Sequence, residues 1–449
     1  MTKLFGTDGI RGLANTELGC ELAIAVGRAT AYTLSKKNEG KKVRILIGKD
    51  TRISSDMLES ALAAGISSVG ADVFLLGCIP TPAVAYLIKY HGADAGIVIS
   101  ASHNPVEYNG IKVFDSSGFK LSVDEEYEIE KHVNNGEMES YIKSHTDVGC
   151  IKTLSSAEDD YVNYLTSCIP APLDGIKVVV DCANGAAYNT SKRIFDKLKA
   201  NVIYIANNPD GLNINKNVGS THLDNLKETV KKEGADIGIA FDGDADRCLA
   251  VDENGEEIDG DKIIGIFAKY LKEKGKLNKD TVVITIYTNL GFIDYCKNNG
   301  IKPVRTAVGD RYVLEEMLRG NYSLGGEQSG HIILKDCSTT GDGQLTALML
   351  LMILKQSGLK ASELTSDIQK YPQVMINIPA DAEQKIKFNS DDLIQAFINE
   401  KESDLFDSGR VVSRVSGTEP LIRIMVEGKD KETIKSVAEE IRDKVLERI

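Results

Sequence analysis

One segment of this chain occurs twice. "GADAGIVISASHN" at 92 to 104 aligns without gaps with "GADIGIAFDGDAD" at 234 to 246, and the alignment sets Ser102 opposite Asp244. Each copy reads as a helix end, a turn glycine and a buried strand running into a polar loop. Upstream of each lies another apolar strand with a helix after it, "VRILIGKD" at 43 to 50 and "IKVVVDCA" at 176 to 183, and a third copy begins with "DTVVITIY" at 280 to 287. Strands alternating with helical stretches such as Asp56 to Val69 and Lys192 to Lys199 predict mainly parallel sheets covered on both faces, with ligands at the carboxyl ends of the strands. The polar loops fall at those ends.

The last stretch has a different pattern. "PQVMINIPA", the strand pair "RVVSRVS" and "LIRIMVEG", and a final helix with Ile434, Val437, Ala438, Ile441 and Val445 on one face predict a smaller α+β unit. The fold class is therefore α/β: three related α/β domains with mixed, mainly parallel sheets and a smaller C-terminal α+β domain, around one central cleft. The expected divisions are 1–150, 151–253, 254–370 and 371–449.

Composition limits what such a chain does. At 449 residues, 42% hydrophobic and 27% charged, it is an ordinary globular protein of several domains. Its eight cysteines form no Cys-x-x-Cys pair, so neither a zinc site nor a disulfide framework is expected, and a reducing cytoplasm fits best. The N-terminus has no apolar signal core, and the longest apolar run, Leu345 to Leu354, is too short to cross a bilayer and predicts a buried helix. A net charge of −13 argues against nucleic acid and anionic membranes as partners, and requires that an anionic substrate be drawn by a local basic patch. The oligomeric state stays open, a homodimer being one option.

Ser102 in "ISASHNP" has three readings: a turn or cap beside Asn104 and Pro105, a hydrolase nucleophile, or a carrier of a phosphoryl group. The second is weak, because adjacent side chains of an extended segment face opposite ways and no Gly-x-Ser-x-Gly elbow is present. The third needs a metal and phosphate binders elsewhere. The loop is expected to be exposed, so that losing the hydroxyl would leave no cavity.

"FDGDADR" supplies Asp242, Asp244 and Asp246 separated by small residues. Wrapped in a loop, such carboxylates suit a hard, oxygen-seeking cation and leave room for a phosphate oxygen; magnesium is the natural choice. The alternatives are a solvated acidic turn or a calcium loop, although the EF-hand spacing is absent. In "RVSGTEPLIR", Arg414, Ser416, Gly417 and Thr418, with Arg423 on the return strand, combine guanidinium forks, hydroxyls and backbone N–H groups suited to a phosphate; a plain hairpin is the alternative. "GGEQSGH" offers Glu327, Ser329 and His331 for sugar hydroxyls, a weak signal by itself.

"FGTDGIRG", "ISASHNP" with "NGIK", "FDGDADR", "GEQSGH" and "RVSGTEP", in that order over nearly the whole chain, resemble the α-D-phosphohexomutase family. "FGTDGIRG" at the start, "AVGDRYV" at 307 to 313, and Gln328 where other branches carry methionine resemble its bacterial branch that interconverts glucosamine 6-phosphate and glucosamine 1-phosphate on the way to UDP-N-acetylglucosamine and the cell wall. The resemblance implies a phosphoserine at Ser102 that is also a ligand of a magnesium ion with the three aspartates, and a sugar phosphate as substrate. Ser102 would pass its phosphate to the sugar and recover another from the bisphosphate, while the Arg414 to Arg423 hairpin grips the phosphate that does not react. Arg11, Lys112 and Arg247 are assigned to charge stabilisation, with Lys112 or His103 handling the proton, and His331 is either a proton carrier or a sugar contact. The phosphomannomutase/phosphoglucomutase branch is the nearest alternative, and a serine-dependent metal phosphatase a remoter one. His222, in "GSTH", has no assigned role.

Overall fold

The computed structural model describes residues 3–6, 8–37, 41–416 and 420–449. The repeat becomes three sheets. The first contains β1 (Ile10–Leu13), β2 (Arg44–Lys49), β3 (Asp72–Cys78), β4 (Ala95–Ile99), β5 (Tyr108–Asp115) and β6 (Ile151–Thr153), ordered β1-β5-β4-β2-β3-β6. The second contains β7 (Lys177–Asp181), β8 (Asn201–Ile205), β9 (Ile237–Phe241), β10 (Cys248–Asp252) and β11 (Glu257–Ile258), ordered β11-β10-β9-β7-β8. The third contains β12 (Thr281–Thr285), β13 (Lys302–Thr306), β14 (Leu324–Gly326) and β15 (Ile332–Leu334), ordered β13-β12-β14-β15.

Each sheet has a parallel centre and an antiparallel edge. β4 and β9, the strands of the repeated segment, are equivalent: each is parallel to the preceding buried strand (β2 or β7) and antiparallel to the following one (β5 or β10). Both are wholly buried, and both follow a helix closed by a left-handed glycine, Gly92 or Gly234. Covered on both faces, they read as unbroken apolar runs rather than alternating ones. The polar residues after them mark the carboxyl ends, where parallel sheets place their sites. The first sheet runs through Thr153 and the second through Ile258, each a few residues beyond the division suggested by composition.

One apolar core runs through the first three units. It joins Leu46, Val98 and Phe114 to Tyr161, Val180 and Phe195, and these to Phe267, Val282 and Leu348. The expected helix at Leu345 to Leu354 spans Gly343–Ser357 and is its spine, buried on nearly every side. The C-terminal unit stands apart. β16 (Gln373–Pro379), β17 (Gly409–Val415) and β18 (Leu421–Gly428) form an antiparallel sheet ordered β16-β18-β17. The helix Lys431–Arg448 covers that sheet through Ile434, Val437, Ala438, Ile441 and Val445, and this core is separate from the large one. A buried pair within this unit, Arg410–Glu427 at 2.7 Å, anchors it to the third: Arg410 donates to the Thr288 carbonyl and Glu427 accepts from the Leu290 N–H at 3.1 Å.

Candidate active site

The chain after β4 does not stay extended. Ser102 has φ +54°, in the left-handed region, a conformation that costs an L-residue about 1 kcal/mol or more and persists only where its surroundings impose it. Two expectations fail as a result. Alternation no longer separates Ser102 from His103, and the ring Nδ1 lies 3.4 Å from Ser102 Oγ. Nor is the serine exposed: it is 1% accessible, enclosed where the first two units meet.

The surroundings that impose this conformation come largely from residues the sequence did not single out. Arg52, after β2, is fully buried; its Nε bonds Asp50 at 2.9 Å, and its fork donates to the carbonyls of Ser102 (3.0 Å), Asn104 (2.8 Å), Tyr108 (3.0 Å) and Pro105. From the second unit, Asn215 Nδ2 donates to the same Ser102 and Asn104 carbonyls at 2.8 and 3.1 Å. A buried guanidinium satisfied by carbonyls and one carboxylate holds a loop in one shape. The signal was there: Asp50 and Arg52 directly follow an apolar strand, as Ser102 does.

The aspartate loop meets the serine loop face to face. Asp242, Asp244 and Asp246 are all buried, and carboxylate oxygens of the three lie within 4.8 Å of one another. Asp242 Oδ2 accepts from Ser102 Oγ at 2.6 Å. Gly243 is required for this approach, since a Cβ there would stand 2.5 Å from the Ser102 carbonyl oxygen. Asp244 Oδ1 and Asp246 Oδ1 are buried without a hydrogen-bond partner. Burial, together with Asp246 and Asp244, pushes the Asp242 carboxyl well above the usual carboxylate range. Buried carboxylates with orphaned oxygens fit a hard divalent cation, which would satisfy those oxygens and favour the charged form of Asp242.

Cations surround the triad. Lys112, on β5, is 1% exposed and lies 2.9 Å from Asp244, 3.0 Å from Asp8 and 3.7 Å from Asp246. Burial alone would favour the neutral amine, but these carboxylates outweigh it and hold the group charged. Arg11 pairs with Asp8, and Arg247 places its backbone N–H 3.1 Å from Asp242 Oδ1; the Nε of each is buried without a hydrogen bond, that of Arg247 lying 4.0 Å from Asp246 Oδ1. Burial and then the charges of Arg247 and Arg11 push the His103 imidazole down to about 4.

The "GGEQSGH" loop is docked on the aspartate loop, with the Cys248 N–H donating to the Gly330 carbonyl at 3.0 Å. Glu327 accepts from the Gly309 N–H at 3.1 Å, and Ser329 Oγ is buried without a partner. His331 packs against the aspartate triad. It is buried, with Nδ1 3.6 Å from Asp246 Oδ2 and Nε2 accepting from the Gly341 N–H at 3.1 Å, so the ring proton faces Asp246 and the histidine braces the triad.

Across the cleft, Arg414 and Arg423 are direct cross-strand partners on β17 and β18. Like charges so placed repel, unless an anion lies between them. Arg414 Nε donates to Tyr287 of the third unit at 2.7 Å, with the guanidinium over that ring. Ser416 is buried, its carbonyl accepting from Lys385 at 2.8 Å. Gly417 and Thr418 lie outside the described residues.

A buried serine facing an aspartate triad across two α/β units, with a paired-arginine hairpin on the fourth unit, is an arrangement that fits phosphoryl transfer in a four-domain fold. The four models of the phosphoglucomutase/phosphomannomutase domains match in order: α/β/α domain I at residues 2–140, domain II at 159–255, domain III at 259–371 and the C-terminal domain at 375–444. The chain belongs to this phosphohexomutase family. It is 52% identical, over the full length of both chains, to the phosphoglucosamine mutase of Caldicellulosiruptor bescii. A solved family member from Burkholderia thailandensis shares the fold with a TM-score of 0.82 at 23% identity, covering 99% of this chain and 97% of that one. Aspergillus fumigatus N-acetylphosphoglucosamine mutase, solved with GlcNAc-6P and magnesium, has a TM-score of 0.70 at 19% identity, covering 98% of this chain and 95% of that one. No helix among the described residues is long and apolar enough to cross a membrane.

Proposed function

We propose that the chain interconverts glucosamine 6-phosphate and glucosamine 1-phosphate in the cytoplasm, with Ser102 as the phosphate carrier. The observation that carries this reading is the 2.6 Å contact between Ser102 Oγ and Asp242 inside a buried, cation-ready triad. The near-identical length and 52% identity of the Caldicellulosiruptor relative support the choice of sugar. In this reading the sugar phosphate lodges its existing phosphate against Arg414 and Arg423, and its free hydroxyl attacks the phosphorus on Ser102. The Ser102 Oγ–P bond breaks as the sugar O–P bond forms, and the hydroxyl proton ends on Oγ. His103, kept neutral 3.4 Å from Oγ, is positioned to pass that proton, whereas Lys112, held cationic by three carboxylates, stabilises charge.

Asp242, Asp244 and Asp246, joined by a Ser102 phosphate oxygen, would hold magnesium, which would neutralise charge on the phosphoryl group as it moves. Arg11 and Arg247, each with a buried Nε that makes no hydrogen bond, are assigned to stabilising the charge of that group. Glu327 and Ser329 are assigned to the sugar, and Ser416, Gly417 and Thr418 to the distal phosphate. Turnover measured separately on glucosamine, glucose and mannose phosphates tests the assignment. If glucosamine phosphate is the poorest of the three, the phosphomannomutase/phosphoglucomutase reaction replaces it. Release of inorganic phosphate faster than isomer would point to a phosphatase. Intact-mass detection of one phosphate, lost in Ser102→Ala, tests the carrier.

A further inference from the structure

The "AVGDRYV" segment at 307–313, where the chain enters the helix Asp310–Gly320, contacts both the Glu327 loop and the first unit. Gly309, at φ +132°, points its N–H at the Glu327 carboxylate, 3.1 Å away. Asp310 Oδ2 pairs with Lys120 of the first unit at 2.5 Å. Arg311 bonds Glu126 at 2.5 Å and the Leu121 carbonyl at 3.3 Å, again in the first unit.

The Asp310 contact belongs to a closed ring of lysines and carboxylates completed by His331. Lys120 reaches Asp8 at 2.5 Å, Asp8 reaches Lys112 at 3.0 Å, and Lys112 reaches Asp246 at 3.7 Å. Asp246 lies 3.6 Å from His331 Nδ1, whose Nε2 lies 3.7 Å from Asp310. The ring thus passes through the first, second and third units and encloses the back of the triad. Its side chains are between 1% and 25% exposed.

Ion pairs so enclosed are poor at adding net stability, because desolvation cancels much of the attraction; their best-attested use is to fix one register among packed alternatives. Apolar contact, being non-directional, would hold these units together without deciding how they align. We propose that residues 309–311 form a positioning turn, which sets the sugar-binding carboxylate of Glu327 in register with Ser102 through Asp310–Lys120 and Arg311–Glu126. Neither Asp310 nor Arg311 touches the reacting atoms in this assignment. The inference rests on the mutase reading above.

The test compares wild type with Arg311→Gln, Asp310→Asn, and the swapped pair Glu126→Arg with Arg311→Glu, by kcat, KM and melting temperature on glucosamine 6-phosphate. Misplacement of about 1 Å costs roughly 100-fold in rate, so kcat should fall about 10- to 100-fold in each single variant. KM should stay within about threefold, because the phosphate grip is untouched, and the swapped pair should recover at least half of the logarithmic loss. Single variants within about twofold of wild-type kcat, or a swapped pair no better than Arg311→Gln, overturn the positioning role. Should Arg311→Gln not fold, Arg311→Lys, which keeps the charge and loses the fork, is read by the same criteria. A wild type inactive on every sugar phosphate refutes the mutase reading and this inference together, whereas an active wild type matched by its variants refutes only the turn.

Discussion

The two ends of the proposed reaction path are built differently. Ser102 stands between two units that share one core, with its carbonyl held by Arg52 and Asn215 and its hydroxyl by Asp242. The arginine hairpin stands on a unit with its own core, joined to the rest through such contacts as Arg410 with the Thr288 carbonyl and Arg414 with Tyr287. The difference follows from the chemistry demanded. Transfer at Ser102 requires sub-ångström placement of charge in a dry site. The distal phosphate must be gripped and then let go, so that a bisphosphate can turn round without being lost to water. A unit with a separate core can shift without disturbing the serine.

The largest effect expected breaks the rigid end outright. Ser102→Ala should abolish mutase turnover while the protein stays folded, because the loop is held through its carbonyls rather than through this hydroxyl. Circular dichroism and the melting curve check the fold, and near-normal turnover would place the nucleophile elsewhere. Next, Asp244→Asn should lower kcat by about two orders of magnitude and weaken divalent-cation affinity with it, since one carboxylate of three supplies much of the site's charge. Titration of the chelated enzyme with magnesium measures both, and indifference of the wild type to a chelator would exclude a metal requirement.

Arg52→Lys sharpens the comparison. It keeps the charge and loses the fork that reaches four carbonyls. We expect about 2–3 kcal/mol less stability, from buried acceptors left unpaired, and a drop of about tenfold in kcat; denaturant unfolding and steady-state kinetics read the two separately. The smallest effect belongs to the hairpin end. Arg423→Ala should raise KM about tenfold with a lesser loss of kcat, since binding energy remote from the reacting bond is what it removes. It should also release more bisphosphate per turnover, counted in solution after rapid quenching. Unchanged kinetics and unchanged release would make the hairpin structural.

Much of this was legible in the sequence because the relevant forces are local. The match of 92–104 with 234–246 foretold equivalent strands, and β4 and β9 are equivalent down to the left-handed glycine that precedes each. Buried parallel strands are apolar over their whole length, and the polar residues that end them must lie where the sheet opens. Ser102 and the three aspartates could therefore be picked out one loop at a time. Arg414 and Arg423 were legible for the same reason, being neighbours across one hairpin.

Only the tertiary structure decided which loops face each other. Arg52 and Asn215 lie 50 and 113 residues from Ser102 in sequence, and nothing local says that both would close on one carbonyl. Their grip puts Ser102 in a left-handed conformation, which defeats the alternation rule and brings His103 to the hydroxyl. The docking of the second unit turns an exposed loop into a buried one. The contact of His331 with Asp246 was not legible because Asp246 belongs to another unit, and the 307–313 segment went without a role because Lys120 and Glu126 belong to another unit as well. Periodicity and turn chemistry act over a few residues and can be read along the chain. Burial and charge pairing depend on what is packed opposite, and that is settled only when the units close on one another.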